Sequence, residues 1–582
     1  MKYRALMLIT ILSVELAAPT RIAATSIDTL VTVGSPTSPF TQNKQNEPAI
    51  AVDANHPNIL AAGSNDEIDL EACNAGDPTT CPFTPGVGIS GIYFSFNSGT
   101  SWTQPTYSGW TARDCVGAPG FTCTAHVGPI GTLPKYYENG LVSDGDPALA
   151  FGPRPGADGT FSWANGERLY YANLTANFSA IRSEEAFKGF EAVTISRTDD
   201  VVSAAAGDAS AWMAPVIVSK QNSTLFSDKE QIWVDNAASS PFFGNAYICN
   251  VAFRSQEKGR AFPSPLEVDT STDGGDTWRV KQVTPAVDNI NSFGISGCAI
   301  RTDSHGVVYL FGYQFALGLP GFGSHILIQS FDGGHNWTRP RTLFTAVDLC
   351  NAFDPVQGRC VEDGVAGARD DLAPEPNVDI ANGAPDGADA TDEIVDTWVD
   401  GRDGLNHEHV FLSYSTDGGA SWIGPSSIGQ RGDRGYYTAP GISPNGTDLY
   451  VVYNAFLTPY RSDTTSPRIL EGVVLHADIG AGGTPTGWTV LHRSPPGDPR
   501  ASSANSLISE FLGDYVYAIA TRTYGAVVWN DVLNAADCLA VDAWRFSLQT
   551  GGSVPKPSPN VDCPATFGNS DIFGGSYLDP TP

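Results

Sequence analysis

Several short apolar runs in this chain open on acidic residues. Glu47 stands before Pro48-Ala-Ile-Ala-Val52, and Asp146 before Pro147-Ala-Leu-Ala-Phe151. Asp228 and Glu230 open Asp228-Lys-Glu-Gln-Ile-Trp-Val234, Asp370 and Asp371 form a pair, and Glu510 and Asp514 precede Tyr515-Val-Tyr517. Carboxyls that converge raise one another's pKa, so one can stay protonated as a general acid beside an ionised partner. The same oxygens suit Ca²⁺. The structural reading of such groups is that they cap strand ends or hydrogen-bond neighbouring strands. No cofactor is expected to be required, Ca²⁺ being the ion that such a ring can take. Other chemistries lack their residues: there is no G-x-S-x-G, no G-x-x-x-x-G-K-[ST], no G-x-G-x-x-G after a strand and no H-E-x-x-H. His407 and His409 alternate on one face of an expected strand edge, which reads as solvated.

Chemistry from such distant positions needs an architecture that gathers them. Four segments share the form S-x-D-x-G-x-x-W: Ser95 to Trp102 (with Asn97 in the Asp place), Ser271 to Trp278, Ser330 to Trp337 and Ser415 to Trp422. The Ser hydroxyl and the Asp carboxylate (Asp273, Asp332, Asp417) can bond the backbone of their own turn. The glycines supply positive φ, and the Trp returns to pack under the hairpin. A second repeat is a polar residue followed by an apolar run, a turn and another apolar run. Its anchors are Glu47, Asp146, Asp228, Cys298, Asp371, Tyr437 and Asp514, 66 to 99 residues apart. Seven anchors predict an all-β fold, a β-propeller of four-stranded antiparallel blades, with seven blades favoured and six the alternative. The three strands expected in the last unit end with Asp542-Ala-Trp-Arg-Phe-Ser-Leu548, and the early run Ile27 to Val33 would supply the fourth and close the ring.

The tryptophan turns are those of Asp boxes, and the chain resembles the bacterial neuraminidase repeat proteins, the sialidase-like β-propellers. Worn copies at Ser196 to Trp212 and at Gly482-Gly483 to Trp488 extend the set. The resemblance implies that the boxes lie between the third and fourth strands of a blade. Their Ser95, Asp273, Asp332, Asp417 and four Trp residues are then structural rather than catalytic. It also implies a Tyr nucleophile with a Glu partner, an Asp acid/base and arginines that grip a substrate carboxylate. Tyr515 with Glu510 takes the first role, Asp514, Asp146 and Asp228 are the acid candidates, and Arg402, Arg522 and Tyr437 are candidate substrate contacts. The family's aromatic-Arg-Ile-Pro motif is missing, and Glu47-Pro-Ala-Ile50 stands near the N-terminus instead. The expected function is therefore a glycoside hydrolase acting on terminal sugars of extracellular glycans, exo-sialidase-like. The alternative is a non-catalytic propeller that binds glycan or protein.

Composition narrows the partners. The 582 residues carry 33 Lys+Arg against 63 Asp+Glu, a net charge of −30, which repels phosphate backbones and anionic lipid. Extracellular glycan or glycoprotein is the expected partner, with no nucleic acid, no membrane insertion and a monomeric chain. Lys2 and Arg4, the apolar Ala5 to Leu16 and the small residues through Ala24 read as a signal peptide over 1–24. The propeller is expected over 25–548 and a disulfide-tied tail over 549–582. The even set of ten cysteines suits disulfides in a secreted protein, extracellular or periplasmic. Close spacing pairs Cys73 with Cys81, Cys115 with Cys123, Cys350 with Cys360 and Cys538 with Cys563, leaving Cys249 and Cys298 to join neighbouring sheets.

Overall fold

The computed structural model describes residues 28–72, 84–116, 123–180, 191–219, 222, 225–254, 263–287, 294–316, 321–349, 352–354, 356, 359–361, 363, 368–369, 372–480 and 482–581. Seven antiparallel sheets follow one another along the chain as the blades of a β-propeller. Their first strands are Gln45–Val52, Ala148–Pro155, Phe226–Val234, Ile295–Thr302, Asn377–Ile380, Arg434–Ile442 and Tyr517–Ala520, in blades 1 to 7. Blade 3 shows the plan: Phe226–Val234, Ala246–Phe253, Leu266–Ser271 and Arg279–Gln282 pair in chain order. Blade 1 is the most worn, its fourth strand reduced to one bridge between Phe94 and Thr103.

Each blade is sandwiched between two others, so middle strands bury both faces. Ala246–Phe253 is buried along its whole length, which is why it reads as a continuous apolar run rather than an alternating one. The core is a series of layers between blades. Phe151, Leu169 and Tyr171 of blade 2 pack on Ala49, Ala61 and Ile92 of blade 1. Cys249 and Val251 of blade 3 pack on Ile300 and Leu310 of blade 4.

All four tryptophan turns join a third strand to a fourth or its remnant. In blade 3, Ser271 Oγ accepts from Gly275 N–H at 2.8 Å, and Asp273 Oδ1 accepts from Thr277 N–H at 3.0 Å. Trp278 Nε1 donates to Gly275 O at 3.0 Å. The turns of Ser330 and Ser415 repeat these bonds. Backbone and side-chain donors hold Asp332 and Asp417 down to about 2, as befits acceptors whose role is to close a turn. Ser95 and Asn97 build the same turn with an amide oxygen, above a buried Trp102. Trp212 and Trp488 also lie on third-to-fourth connections or fourth strands.

The ring closes as the sequence predicts, with Thr29–Leu30 as the fourth strand of blade 7. Its neighbour differs from expectation. The stretch 542–548 lies in the α-helix Leu539–Thr550, and the third strand of the blade is Asp571–Leu578. Trp544, Phe546 and Leu548 alternate like a strand, but the structure buries Trp544 with Val541 and Arg545 and leaves Phe546 and Leu548 39% exposed. Spacing at i, i+3 and i+4 is the helical signal. The propeller therefore runs to Leu578, and residues 549–570 belong to a helical insertion within blade 7 rather than to a tail. The bonds Cys115–Cys123, Cys249–Cys298 and Cys538–Cys563 form as expected. Cys73, Cys81 and Cys350, like Asp370 and Asp371 and the leader over 1–24, lie outside the described residues. Among the described residues no helix is long and apolar enough to cross a membrane.

Candidate functional site

The inner strands share a backbone device. Their pairing with the second strand slips at 46/49, 228/231, 296/299 and 436/438, the mark of a bulge. At or beside the equivalent position sit Glu47, Asp146, Lys229, Gly297, Tyr437 and Gly513, all at positive φ between 48° and 87°. Four of these carry side chains, and a non-glycine residue there costs about 1–3 kcal/mol. The bulge brings those side chains to the hub, where the inner strands begin. Two glycines make room for carboxylates. A Cβ on Gly297 would lie 2.0 Å from Glu375 Oε2, and one on Gly513 would lie 2.5 Å from Glu47 Cγ.

The gathered groups form one network. Asp514 accepts from Lys229 Nζ at 3.0 Å, Arg369 Nε at 2.7 Å and Tyr437 Oη at 3.2 Å, and also from Arg369 Nη2. Glu47 accepts from Asn65 Nδ2 at 2.6 Å and from the Asp514 N–H at 3.1 Å, with Arg369 Nη2 at 3.7 Å. Lys229 Nζ also lies 3.8 Å from Asp146 and 3.9 Å from Asp228. Ligand oxygens of Asp146, Asp228 and Glu230 lie within 4.8 Å of one another. They could hold a cation, although the Lys229 ammonium already supplies positive charge there.

Burial drives the proton affinities. Asp146 is pushed well above the usual carboxylate range, by desolvation first and then by the negative charge of Glu47. Asp228 rises to about 6 through burial, with Asp146 adding to the shift and Lys229 opposing it. Glu230 is also raised, by burial and then by Asp146 and Asp228, and among the described residues neither of its carboxyl oxygens has a hydrogen-bond partner. The hub thus sets carboxyls of raised proton affinity beside carboxyls held by cations, an arrangement suited to acid/base chemistry.

The residues proposed from sequence divide. Asp514, Asp146, Asp228 and Tyr437 meet in the network. Tyr515 lines a cavity of about 40 Å³ with Asp146, Glu230 and Glu375. Burial and then the charges of Asp146 and Glu47 push its phenol well up, so it keeps its proton. Glu510 is turned elsewhere, 3.5 Å from the buried Arg545 of the helix. Arg402 is held by both oxygens of Asp400 and lies 4.5 Å from the centre of the Phe411 ring, in the loop between second and third strands of blade 5. Arg522 sits in the first turn of blade 7, bound by Asp389. At about 3.3 Å per residue, the eight residues from Asp514 span at most about 26 Å, across the inner strand to the opposite face.

Lys229, Arg369 and Glu375 were missed. A faint signal existed for Glu375, since Glu375-Pro376 repeats the acid–proline pairs at 47–48 and 146–147. Beside the network opens a polar cavity of about 360 Å³, lined by Lys44, Asn46, Asn65, Arg369, Asn505 and Phe511 among others. The Arg369 guanidinium lies 4.3 Å from the Phe511 ring centre.

No family model and no curated protein matches the chain. Among solved structures it is similar to the Hadza microbial sialidase Hz136, at 10% identity and TM-score 0.36 over 68% of this chain and 64% of that one. It is similar to a protein of unknown function from Dyadobacter fermentans, at 12% identity and TM-score 0.36 over 74% and 94%. It is similar too to the Trypanosoma rangeli sialidase in complex with the inhibitor DANA, at 10% identity and TM-score 0.35 over 71% of this chain and 53% of that enzyme.

Proposed function

We propose that this propeller is a glycan-acting protein, a glycoside hydrolase whose acid/base work is done at the hub. The observation that carries the reading is the pair Glu47 and Asp146. Burial and the charge of Glu47 raise the proton affinity of Asp146, while Glu47 gathers donors from Asn65 and the Asp514 backbone. Asp146 is the more exposed of the two, with 15% of its side chain open against 2%. It is placed to give a proton to the leaving oxygen as the glycosidic bond breaks, while Glu47 takes a proton from the water that attacks the sugar carbon. The adjoining cavity of about 360 Å³ is within the usual size of ligand sites. Its amides and the Phe511 ring are suited to hydroxyls and to the apolar face of a sugar.

The charges favour a neutral sugar over a sialoside. Arg369 is engaged by Asp514 and Glu47, and Lys44 lies 3.9 Å from Glu67, so both cations of that cavity already have counter-ions. The disulfides Cys115–Cys123, Cys249–Cys298 and Cys538–Cys563 suit an oxidising compartment outside the cytoplasm. A panel of fluorogenic glycosides, with a sialoside included, tests the proposal. Turnover of a neutral glycoside is expected, reduced about 100-fold or more in Asp146→Asn and in Glu47→Gln. No turnover of any member, or variants as active as the parent, would remove the hydrolase reading. A binding-only role is favoured by the salt bridges that tie Lys229 and Arg369 to Asp514. Saturable sugar binding in the large cavity without turnover would establish it.

A further inference from the structure

A second constellation lies on the face opposite the hub. Asp448 opens the second strand of blade 6, and His476 and Asp478 stand near the end of its third strand. Asp448 and Asp478 are direct cross-strand partners, and Tyr450 pairs with His476. Two carboxylates directly opposite one another on a sheet repel. His476, two residues before Asp478, shares its face, and its Nε2 lies 3.0 Å from Asp448 Oδ1. A third carboxylate arrives from blade 7, where Asp579 follows the strand Asp571–Leu578. One ligand atom from each of Asp448, His476, Asp478 and Asp579 lies within 4.8 Å of the others.

Beyond the His476 imidazole, this cluster lacks charge compensation among the described residues. The hub carboxylates face Lys229 and Arg369, whereas among the described residues no Lys or Arg pairs with Asp448, Asp478 or Asp579. Hydroxyls orient the carboxylates instead: Thr447 Oγ1 donates to Asp448 Oδ2 at 2.5 Å, and Thr581 Oγ1 donates to Asp478 and to Asp579. Beside them Tyr450 is fully buried, its hydroxyl without a hydrogen-bond partner among the described residues and its ring 4.9 Å from the imidazole of His476. The carboxylates of Asp448, Asp579 and Asp478 all act electrostatically on that phenol.

We infer that Asp448, His476, Asp478 and Asp579 bind a divalent transition-metal ion of the zinc class, which staples blade 6 to the end of blade 7. An imidazole nitrogen with carboxylate oxygens is a donor set for Zn²⁺, whereas Ca²⁺ takes oxygen ligands throughout. The carboxylates bring negative charge for the ion to neutralise, and hydroxyls around them supply an outer shell that holds the ligands in place.

The full chain, stripped with chelator and then titrated with Zn²⁺ alone, provides the test. One equivalent should bind saturably and raise the thermal midpoint, and Ca²⁺ should bind at least tenfold more weakly. Asp579→Asn and Asp478→Asn, both at partly exposed positions, should each weaken Zn²⁺ binding tenfold or more, while Asp114→Asn on an exposed loop between blades 1 and 2 leaves it unchanged. X-ray absorption of the zinc-loaded parent should show one imidazole nitrogen among oxygen donors, a readout that does not depend on any variant folding. Absence of saturable binding, an all-oxygen shell, or folded Asp579→Asn binding Zn²⁺ like the parent would each overturn the assignment.

Discussion

Asp514→Asn should destabilise the whole propeller, because one buried carboxylate holds two partly buried cations. Asp514 is 4% exposed and accepts from Lys229, Arg369 and Tyr437. An amide keeps one acceptor oxygen but turns an NH₂ group toward a guanidinium or an ammonium. Removing one partner of a buried ion pair costs about 3–5 kcal/mol. Part is recovered here, since Lys229 keeps Asp228 at 3.9 Å and Arg369 keeps Glu47 at 3.7 Å. We expect a loss of about 3 kcal/mol, toward the lower end of that range. Urea unfolding at pH 7, followed by tryptophan fluorescence, measures it. Lys229→Met and the double variant complete a cycle, and the pair should couple by about 2 kcal/mol, within the range for contacting residues. A loss under about 1 kcal/mol, or additivity of the two substitutions, would refute the view that these groups act as one unit.

The disulfides should rank by the chain they enclose. Cys249–Cys298 spans 49 residues, Cys538–Cys563 spans 25 and Cys115–Cys123 spans 8, which corresponds to about 4, 3.5 and 2.5 kcal/mol of loop entropy. Pairwise Cys→Ala variants in denaturant should lose stability in that order, and a reversed order would contradict the entropic account. Stability should fall from pH 5 to pH 8.5. Burial pushes Asp235 up to about 8 and Asp228, Asp531 and Asp571 up to about 6. Each raised carboxyl stabilises fully below its unfolded pKa near 4, and that contribution disappears as pH rises through the folded value. Calorimetry should give a lower midpoint at pH 8.5, and Asp235→Asn should flatten the slope above pH 6. A midpoint that rises with pH would reverse the assigned sign.

How much of this was legible in the sequence depended on distance along the chain. The tryptophan turns close on themselves within four residues, Ser271 Oγ to Gly275 N–H for example, so eight letters specify the geometry. The closing strand was legible because Thr29 and Leu30 lie in a β-branched run beside an edge that needs covering. The helix Leu539–Thr550 was not, since period-2 and period-3.6 readings share Trp544 and only tertiary contacts decide between them. Arg545 decides it, buried and donating to Leu507 O at 2.8 Å. At the hub the acids were found because each opens a strand. Lys229 and Arg369 were missed because they reach Asp514 across 285 and 145 residues, and nothing local to either marks it.

The bulge explains why chemistry could not be read from the repeats themselves. The same left-handed step recurs with an acid at Glu47 and Asp146, a cation at Lys229, a phenol at Tyr437 and no side chain at Gly297 and Gly513. A repeat that keeps its backbone and exchanges its side chain at one position can bring different groups to a shared axis without rebuilding a blade. Glycine at that step is equally informative, since at 297 and 513 it yields its space to the carboxylate of Glu375 and the side chain of Glu47. The hub is therefore specified by complementary choices at one structural position in successive blades. Exchanging Gly297 for alanine should displace Glu375, whose carboxylate accepts from Ser296 at 2.6 Å, while leaving the tryptophan turns intact.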